Sequence, residues 1–335
     1  MLRLVGQRLA QTAPILFALS LAVFAWVRAL PGGPANALLG EHASPEAIAE
    51  VNAAYALDEP IWTQYWRFVV KLVQLDLGSS IRTRQPVMDE IASRFPATVE
   101  LTVAGLLIAV VVGVPLGTLA AKYHGRWPDR LSVVGSLLGI SIPVFFLALL
   151  LKYVFAVELG WLPASGRLEP TSQAAHPTGF YVLDGILTRD GAAVVDALRH
   201  LLLPALALAS VPLAIISRVT RASLLQVQTE SYIRTATAKG LGPLRFNVHH
   251  LLRNGLLPVI TIVGLQGGIL LSGAVLTETV FSWGGMGSWM LTSIQYRDFP
   301  AMQAGILFLA LIFVLVNMLV DLTYLVIDPR LKRAE

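Results

Sequence analysis

Six long stretches without a charged side chain constrain this chain more than any other feature of its sequence. Asp, Glu, Lys and Arg are absent between Arg8 and Arg28, Glu100 and Lys122, Arg130 and Lys152, Arg199 and Arg218, Arg253 and Glu278, and Asp298 and Asp321. Each stretch holds 18 to 24 residues, and a helix needs about 20 apolar residues to cross a ~30 Å hydrocarbon core. Spans in lipid are helices or strands of a closed barrel, because free backbone groups find no partner there. These continuous apolar runs lack the alternation of barrel strands, so the sequence predicts an all-α integral membrane protein with six transmembrane helices.

The composition of the whole chain excludes the other broad classes. Only 14% of its 335 residues are charged, whereas soluble domains average roughly 25%. Its 55% hydrophobic content excludes a disordered chain. The chain has no cysteine, which excludes disulfides and thiolate chemistry within it and fits a bacterial inner membrane.

The distribution of basic residues predicts the orientation. With the N-terminus inside, the inner segments hold 14 of the 25 Lys and Arg residues but only 4 of the 21 acids. Basic residues are retained on the cytoplasmic side of short loops. The sequence therefore predicts N-in and C-in, and the net charge of +4 needs no nucleic-acid partner.

Three regions follow from the positions of the spans. Residues 1–30 form the N-terminus and first span, residues 31–97 an outer segment, and residues 98–335 a core of five further spans. The outer segment is expected to be folded, because it is too long for a simple connector.

The longest inner segment, residues 218–254, predicts a helix, a sharp turn and a second helix beneath the membrane. Arg221 to Lys239 lacks Gly and Pro, whereas Gly240-Leu241-Gly242-Pro243 breaks the chain. We call residues 218–254 the inner bracket, since two joined helices there project as a rigid unit. An ordinary amphipathic connector is the alternative that these residues leave open.

Polar side chains within or at the ends of spans are candidates for a solute pathway. Glu100 and Glu278 lie at the outer ends of the second and fifth spans, and Asn317 and Asp321 lie one turn apart in the sixth. Hydrogen bonding between helices is the alternative for each of them.

Catalytic and metal-binding signatures are absent from the sequence. It contains no phosphate-binding Gly-x-x-x-x-Gly-Lys-Ser/Thr, no His-Glu-x-x-His and no Gly-x-Ser-x-Gly. His249 and His250 are adjacent, and neighbours on a helix point apart, so they make a poor metal pair. His176 in the outer loop 158–199 is expected to be solvated. We therefore predict a chain that is not an enzyme and holds no metal.

Aromatic and small residues predict where spans meet the interface and each other. Trp283 and Trp289 are expected at the membrane boundary. The helical face that carries Trp62 and Trp66 lies either at that boundary or against other helices. Small-xxx-small spacing predicts close helix contacts, and internal prolines predict kinks. The glycine pairs are Gly113/Gly117, Gly135/Gly139 and Gly264/Gly268, and the prolines are Pro115, Pro143 and Pro204.

Two runs of residues mark the inner bracket, namely Tyr232-Ile233-Arg234-Thr235-Ala236-Thr237-Ala238-Lys239-Gly240-Leu241 and Leu252-Arg253-Asn254-Gly255-Leu256-Leu257-Pro258. They resemble the coupling loop of ABC-importer permeases of the dipeptide, oligopeptide and nickel branch, specifically the first of its two permease subunits. Supporting stretches are Leu30-Pro31-Gly32-Gly33-Pro34, Asp76-Leu77-Gly78-Ser79-Ser80, Glu278-Thr279-Val280-Phe281-Ser282-Trp283, Arg297-Asp298-Phe299-Pro300 and Asp328-Pro329-Arg330. Gly284 departs from the pattern, because the family usually has proline there.

The resemblance implies a type I ABC-importer permease in a bacterial inner membrane. It implies that Arg234, Thr235, Ala236, Lys239, Gly240, Leu241 and Arg253 form the ATPase-coupling site. It also implies a homologous second permease, two ATPase subunits that hold ATP and Mg²⁺, and an outer solute-binding protein that docks on 31–97 and 158–199. This chain itself is then expected to hold no cofactor.

Cargo and driving force each have a named alternative. The outer loop 158–199 is similar to dipeptide permeases more than to nickel permeases, so peptides are the predicted cargo, and nickel, glutathione and haem-type compounds are the alternatives. An ion-coupled secondary transporter is the competing class, but it favours internal repeats and paired midplane carboxylates, and the sequence shows neither. An integral-membrane enzyme would need clustered catalytic groups near an interface, and none is evident.

Overall fold

The fold is all-helical, as predicted. The structure is a computed structural model that describes residues 2–29, 44–46, 49, 58–239, 242 and 251–327, except for the side chains of 2–11, 237, 272–273 and 321–327. The described residues form helices joined by turns and loops, with a β-bridge between Ser79 and Pro86. The chain divides into two compact units, residues 1–96 with 284–314 and residues 97–283 with 315–335. The predicted regions 1–30, 31–97 and 98–335 stay a prediction.

The helices of the described residues follow one another along the chain. They are α1 (Leu2–Arg28), α2 (Ile61–Val73), α3 (Val87–Lys122), α4 (Trp127–Ser141), α5 (Val144–Leu151) with its π-helical continuation Lys152–Glu158, α6 (Tyr181–Leu187), α7 (Gly191–Gln228), α8 (Ser231–Ala238), α9 (Arg253–Gly255), α10 (Leu257–Gly273), α11 (Val275–Val280), α12 (Met286–Gln295) and α13 (Phe299–Ile327).

Helix α2 of the first unit packs on α1 through one face and leaves the other exposed. Arg28 on α1 donates from Nε and Nη2 to Oε1 of Gln64, at 3.0 and 2.8 Å. On the other face, Trp62 and Trp66 are 72% and 67% exposed. This face packs against no other helix among the described residues, which favours the membrane boundary over packing within the chain.

Trp289 and Trp283 are buried within the chain, and the prediction that they lie at the membrane boundary stays a prediction. In the first unit, Trp289 is 4% exposed, and its indole Nε1 donates to Oε2 of Glu90 at 2.7 Å. In the second unit, Trp283 is 2% exposed, and its Nε1 donates to the carbonyl oxygen of Ala97 at 2.8 Å. An indole N–H that finds such a partner no longer favours the wet boundary.

Gly284 takes a backbone conformation that proline cannot adopt. Its φ is +71°, in the left-handed region that favours glycine, whereas the proline ring holds φ near −65°. A turn with this φ accommodates glycine and excludes proline, which explains why position 284 departs from the family's usual residue.

Helix α7 is central to the second unit. It contacts α4, α5, α6 and α10. Its first turn is capped by Asp190, whose Oδ1 accepts from the backbone N–H of Ala193 at 3.0 Å. Its 38 residues extend for roughly 57 Å, which exceeds the ~30 Å hydrocarbon core. One end of α7 therefore continues into water.

The third predicted span is divided at Pro143. Helix α4 is bent by 98° relative to the segment Val144–Glu158. Proline has no N–H for the helix ladder, and its ring clashes with the preceding turn. The predicted kink at Pro143 is confirmed.

The apolar helices coincide with the predicted spans. Among the described residues, α3, α7 and Phe299–Val320 of α13 are long and apolar enough to cross a membrane, and the bent pair at Pro143 adds a fourth candidate. The shorter apolar segments Thr12–Arg28 and Leu257–Leu271 fall on the first and fifth predicted spans. The count of six spans and the N-in, C-in orientation stay predictions.

Helices α3 and α7 approach each other closely at Gly117. A Cβ on Gly117 would lie 2.4 Å from the carbonyl oxygen of Ser217 and 2.7 Å from Cβ of Thr220. A Cβ on Gly135 would have no described atom within 4 Å. The small-xxx-small prediction thus holds at Gly117, and Gly135 offers a matched helical control.

We expect Gly117→Ala to destabilise the protein by about 1–3 kcal/mol, because the added methyl group meets backbone that cannot yield. The measurement is the midpoint of thermal unfolding of the purified chain in detergent. Gly135→Ala should leave that midpoint unchanged or raise it slightly. Equal midpoints for the two variants would contradict the close contact at Gly117.

Candidate coupling site

The inner bracket begins as a continuation of α7. The sequence predicted one helix through Arg221 to Lys239, but α7 ends at Gln228 and α8 begins at Ser231. The hydroxyl of Thr229 donates to the carbonyl oxygen of Gln226 at 2.7 Å. A side chain that bonds to its own last turn competes with continuation of the helix. The uninterrupted helix is therefore corrected to two helices.

Helix α8 is amphipathic in the way that a docking helix requires. Ile233 and Ala236 are buried, at 4% and 5% exposure. Arg234, Thr235 and Lys239 are exposed. The apolar side therefore packs against the chain, and the polar side is presented outward.

Residues 251–255 form a second segment of the bracket, and hydrogen bonds join it to α7 and α8. The hydroxyl of Ser223 donates to the carbonyl oxygen of Gly255 at 2.7 Å, and Nδ2 of Asn254 donates to the hydroxyl of Tyr232 at 2.9 Å. A Cβ on Gly255 would lie 2.4 Å from Cδ2 of Leu224, so glycine lets the two segments approach without displacing that side chain. These contacts make residues 251–255 and the end of α7 one packed body.

A buried carboxylate anchors the end of α7 from the loop 122–130. Asp129 is 4% exposed. Its Oδ1 accepts from Nε of Arg221 at 2.5 Å and its Oδ2 from Nη2 at 3.0 Å. Oδ2 also accepts from the backbone N–H of Gly125 at 2.9 Å and lies 3.0 Å from Nδ1 of His124. A two-pronged arginine–carboxylate pair fixes orientation as well as distance.

The sequence did not single out Asp129, because the loop 122–130 looked merely basic. The available signal was that Asp129 is the lone acid in that loop and one of only 4 acids on the predicted inner side. Its position two residues after Trp127, in the first turn of α4, also suits an acid.

The predicted coupling residues are only partly covered by the structure. Arg234, Thr235, Ala236 and Lys239 lie together on or beside α8, and Arg253 is exposed on α9. Gly240 and Leu241 lie outside the described residues. The arrangement can present a polar helix to a partner on the predicted inner side and transmit its displacement to α7.

On the predicted outer side, Glu100 and Glu278 make hydrogen bonds within the second unit. Glu100 accepts from the backbone N–H of Val182 at 2.8 Å and from Nη2 of Arg167 at 2.7 Å. Glu278 is 0% exposed and accepts from the hydroxyl of Thr98 at 2.6 Å. These bonds match the hydrogen-bonding alternative, and contact with solute stays a prediction.

The other two candidate pathway residues lie on α13. Asn317 is half-buried. The side chain of Asp321 lies outside the described residues. The structure therefore brings Glu100 and Glu278 into defined hydrogen bonds, and a pathway role for Asn317 and Asp321 stays a prediction.

Comparisons with known proteins cover the chain from end to end. The family described as the binding-protein-dependent transport system inner membrane component matches residues 113–333, and its N-terminal counterpart matches residues 1–102. The chain is 45% identical to the dipeptide transport system permease protein DppB of Alkalihalophilus pseudofirmus, over 99% of this chain and 100% of that one. It is 43% identical to the di/tripeptide transport system permease protein DppB of Pseudomonas aeruginosa, over 99% of each chain.

A solved structure shows the same fold. The MetNI methionine ABC transporter, in inward-facing conformations, matches with a TM-score of 0.52 and 17% identity, over 72% of this chain and 97% of that one. At this identity the likeness concerns the fold alone. Together these matches show that the chain belongs to the family of binding-protein-dependent inner-membrane transport components, as a multi-pass, non-catalytic permease subunit of an ABC importer that works with ATPase and substrate-binding components.

Proposed function

We propose that this chain is the first permease subunit of an ATP-driven importer of dipeptides and short oligopeptides. The observation that carries the proposal is the end-to-end likeness to relatives named as dipeptide and di/tripeptide permeases. The inner bracket supports it, since an importer driven from the cytoplasm needs a rigid element there.

ATP and Mg²⁺ bind on two partner ATPase subunits in this proposal. The exposed side of α8, with Arg234, Thr235 and Lys239, docks in a groove of one ATPase. A partner can shift a conformational equilibrium only through contacts that differ between its two states. The Tyr232–Asn254 and Ser223–Gly255 hydrogen bonds then carry the movement of α8 through α9 to α7, and the Asp129–Arg221 pair carries it from α7 to α4.

The solute pathway lies between this chain and a homologous second permease. A solute-binding protein delivers the peptide to the outer segments 31–97 and 158–199. Asn317 and Asp321 are candidates for lining the pathway. Glu100 and Glu278 border it as positioning residues, since each holds two segments of the second unit together.

The test is uptake into proteoliposomes that contain the complete importer, with the binding protein added outside. We expect uptake of labelled dialanine that requires ATP inside and is abolished when a non-hydrolysable ATP analogue replaces it. Nickel, glutathione and haem, offered in parallel with their own labels, should not be taken up at a comparable rate.

Two outcomes would contradict the proposal. ATP-dependent uptake of nickel, glutathione or haem in preference to dialanine would assign a different cargo. Uptake that follows an ion gradient and ignores ATP would favour the secondary-transporter alternative.

A further inference from the structure

An open cavity of about 350 Å³ lies in the outer loop of the second unit. We call it the outer cavity, and its lining includes Arg167, Glu169, Ser172, His176, Tyr181 and Trp283. Most of its accessible lining is polar, which distinguishes it from the apolar groove beside α10. Its contents are therefore expected to be hydrophilic.

A stack of three side chains forms one wall of the outer cavity. The guanidinium carbon of Arg167 lies 3.6 Å from the ring centroid of Tyr181. The ring of His176 lies 3.9 Å from the same centroid, at an interplanar angle of 13°. Two groups this close to one ring cannot share a face, so the tyrosine is held between them. The prediction that His176 is merely solvated is wrong.

Two buried nitrogen atoms in this stack have no hydrogen-bond partner among the described residues. They are Nε of Arg167 and Nδ1 of His176, and the Arg167 side chain is only 10% exposed. The Nη2 atom of Arg167 is already bonded to Glu100 and to the carbonyl oxygen of Gly179. Native structures rarely leave buried polar atoms unpaired, so a ligand group or an ordered water is expected to supply the missing partner. An oxygen-rich group, such as a carboxylate, satisfies such atoms.

The charged groups of the outer cavity suit a ligand that carries both a carboxylate and an ammonium. The positive charge of Arg167 is matched by Glu100 at 2.7 Å. Glu169, which is exposed at the rim, adds a negative group suited to an ammonium. A zwitterion places a carboxylate at Arg167 and His176 and an ammonium at Glu169, which a plain anion does not.

We propose that the outer cavity is a binding site for a zwitterionic dipeptide. The peptide carboxylate bonds to Nε of Arg167 and to the ring of His176, and the peptide ammonium pairs with Glu169. The cavity of about 350 Å³ accommodates two small residues. This inference rests on the proposed peptide cargo and gives the permease itself a recognition site for the cargo on its outer side.

The test uses the importer with its ATPases and second permease in nanodiscs, without the binding protein. We expect saturable binding of radiolabelled dialanine. Dialanine amide and N-acetyl-dialanine should each bind about tenfold more weakly, since each loses one charge-assisted contact. These measurements use the unmodified importer. The absence of saturable binding, or equal binding of all three compounds, would overturn the proposal.

Variants locate the site. His176→Phe keeps the stack on Tyr181 but removes both ring nitrogens, and Glu169→Gln removes the negative group. Each should weaken dialanine binding about tenfold, whereas the matched control Glu158→Gln should not, because Glu158 is exposed outside the cavity. Co-elution with the other subunits verifies assembly. Unchanged binding in assembled His176→Phe would overturn the assignment.

Uptake with the binding protein present separates this inference from the proposed function. ATP-driven dialanine uptake without dialanine binding to the nanodisc importer overturns the cavity site and leaves the importer standing. Absence of peptide uptake overturns the proposed function itself. If His176→Phe weakens only the docking of the binding protein, the cavity accepts an acidic side chain of that protein, and the peptide site is overturned.

Discussion

Reversing the two exposed basic side chains of α8, by Arg234→Glu with Lys239→Glu, is expected to abolish ATP-coupled peptide uptake. Both side chains point away from the chain, so the folded permease should tolerate the change. Like charges placed across a docking surface cost several kcal/mol, so the affinity for the ATPase should fall by about a hundredfold or more. The measurements are uptake in proteoliposomes and co-purification of the ATPase.

The control is a reversal of equal charge in the loop 122–130, by Arg126→Glu with Arg130→Glu. Both residues are exposed on the same predicted side of the membrane, so they affect insertion by the same positive-inside rule. We expect the control to retain uptake and its ATPase. Equal loss in both double variants would mean that charge on this side, and not α8, determines activity.

Asp129→Ala is expected to cause the largest loss of stability. It removes a carboxylate that is only 6% exposed and leaves the guanidinium of Arg221 without its ion-pair partner. Removing one partner of a fully buried ion pair costs about 3–5 kcal/mol, and because the side chain of Arg221 is 24% exposed we expect a loss at the lower end, about 3 kcal/mol. The thermal unfolding midpoint in detergent should fall clearly, and uptake should fall with it because the loop 122–130 no longer holds the start of the bracket in place.

Asp89→Ala is the matched control, since Asp89 is an exposed acid near the start of another helix, and it should shift the midpoint only slightly. The double variant Asp129→Ala with Arg221→Ala should regain part of the loss, because it removes the unpaired charge as well. A double variant as unstable as the sum of the two singles would mean that the residues do not act as a pair.

Hydrophobic pattern and backbone chemistry made the membrane-spanning part predictable. Charged residues mark the ends of apolar helices because ions are excluded from hydrocarbon, which is why the uncharged stretches coincide with α3, α7 and the apolar part of α13. The bend at Pro143 was predictable, because proline has no backbone N–H and therefore interrupts the helix at its own position. The exposed side of α8 likewise follows from helical spacing within a short motif.

Contacts between distant residues were not predictable from the sequence. Trp283 and Trp289 looked like boundary residues, yet each finds a buried acceptor 186 or 199 positions away. Asp129 and Arg221 are 92 residues apart, and nothing local marks them as partners. His176 was expected to be solvated, because the sequence does not show that it stacks on Tyr181 and that Arg167 packs on the same ring. The positions of such side chains are set by tertiary contacts, which the hydrophobic periodicity of the sequence does not reveal.

The most direct test of the account is the chemical accessibility of α8 in the assembled importer. The chain contains no cysteine, so Thr235→Cys provides a single thiol on the exposed side of the helix, and Arg126→Cys provides an inner control. The measurement is the rate of maleimide labelling of this chain in inside-out membrane vesicles. We expect the thiol at 235 to be shielded while the ATPases are bound and to react rapidly once they are stripped, with no change at 126. Equal labelling at 235 with and without the ATPases would contradict the assignment of α8 as their docking element.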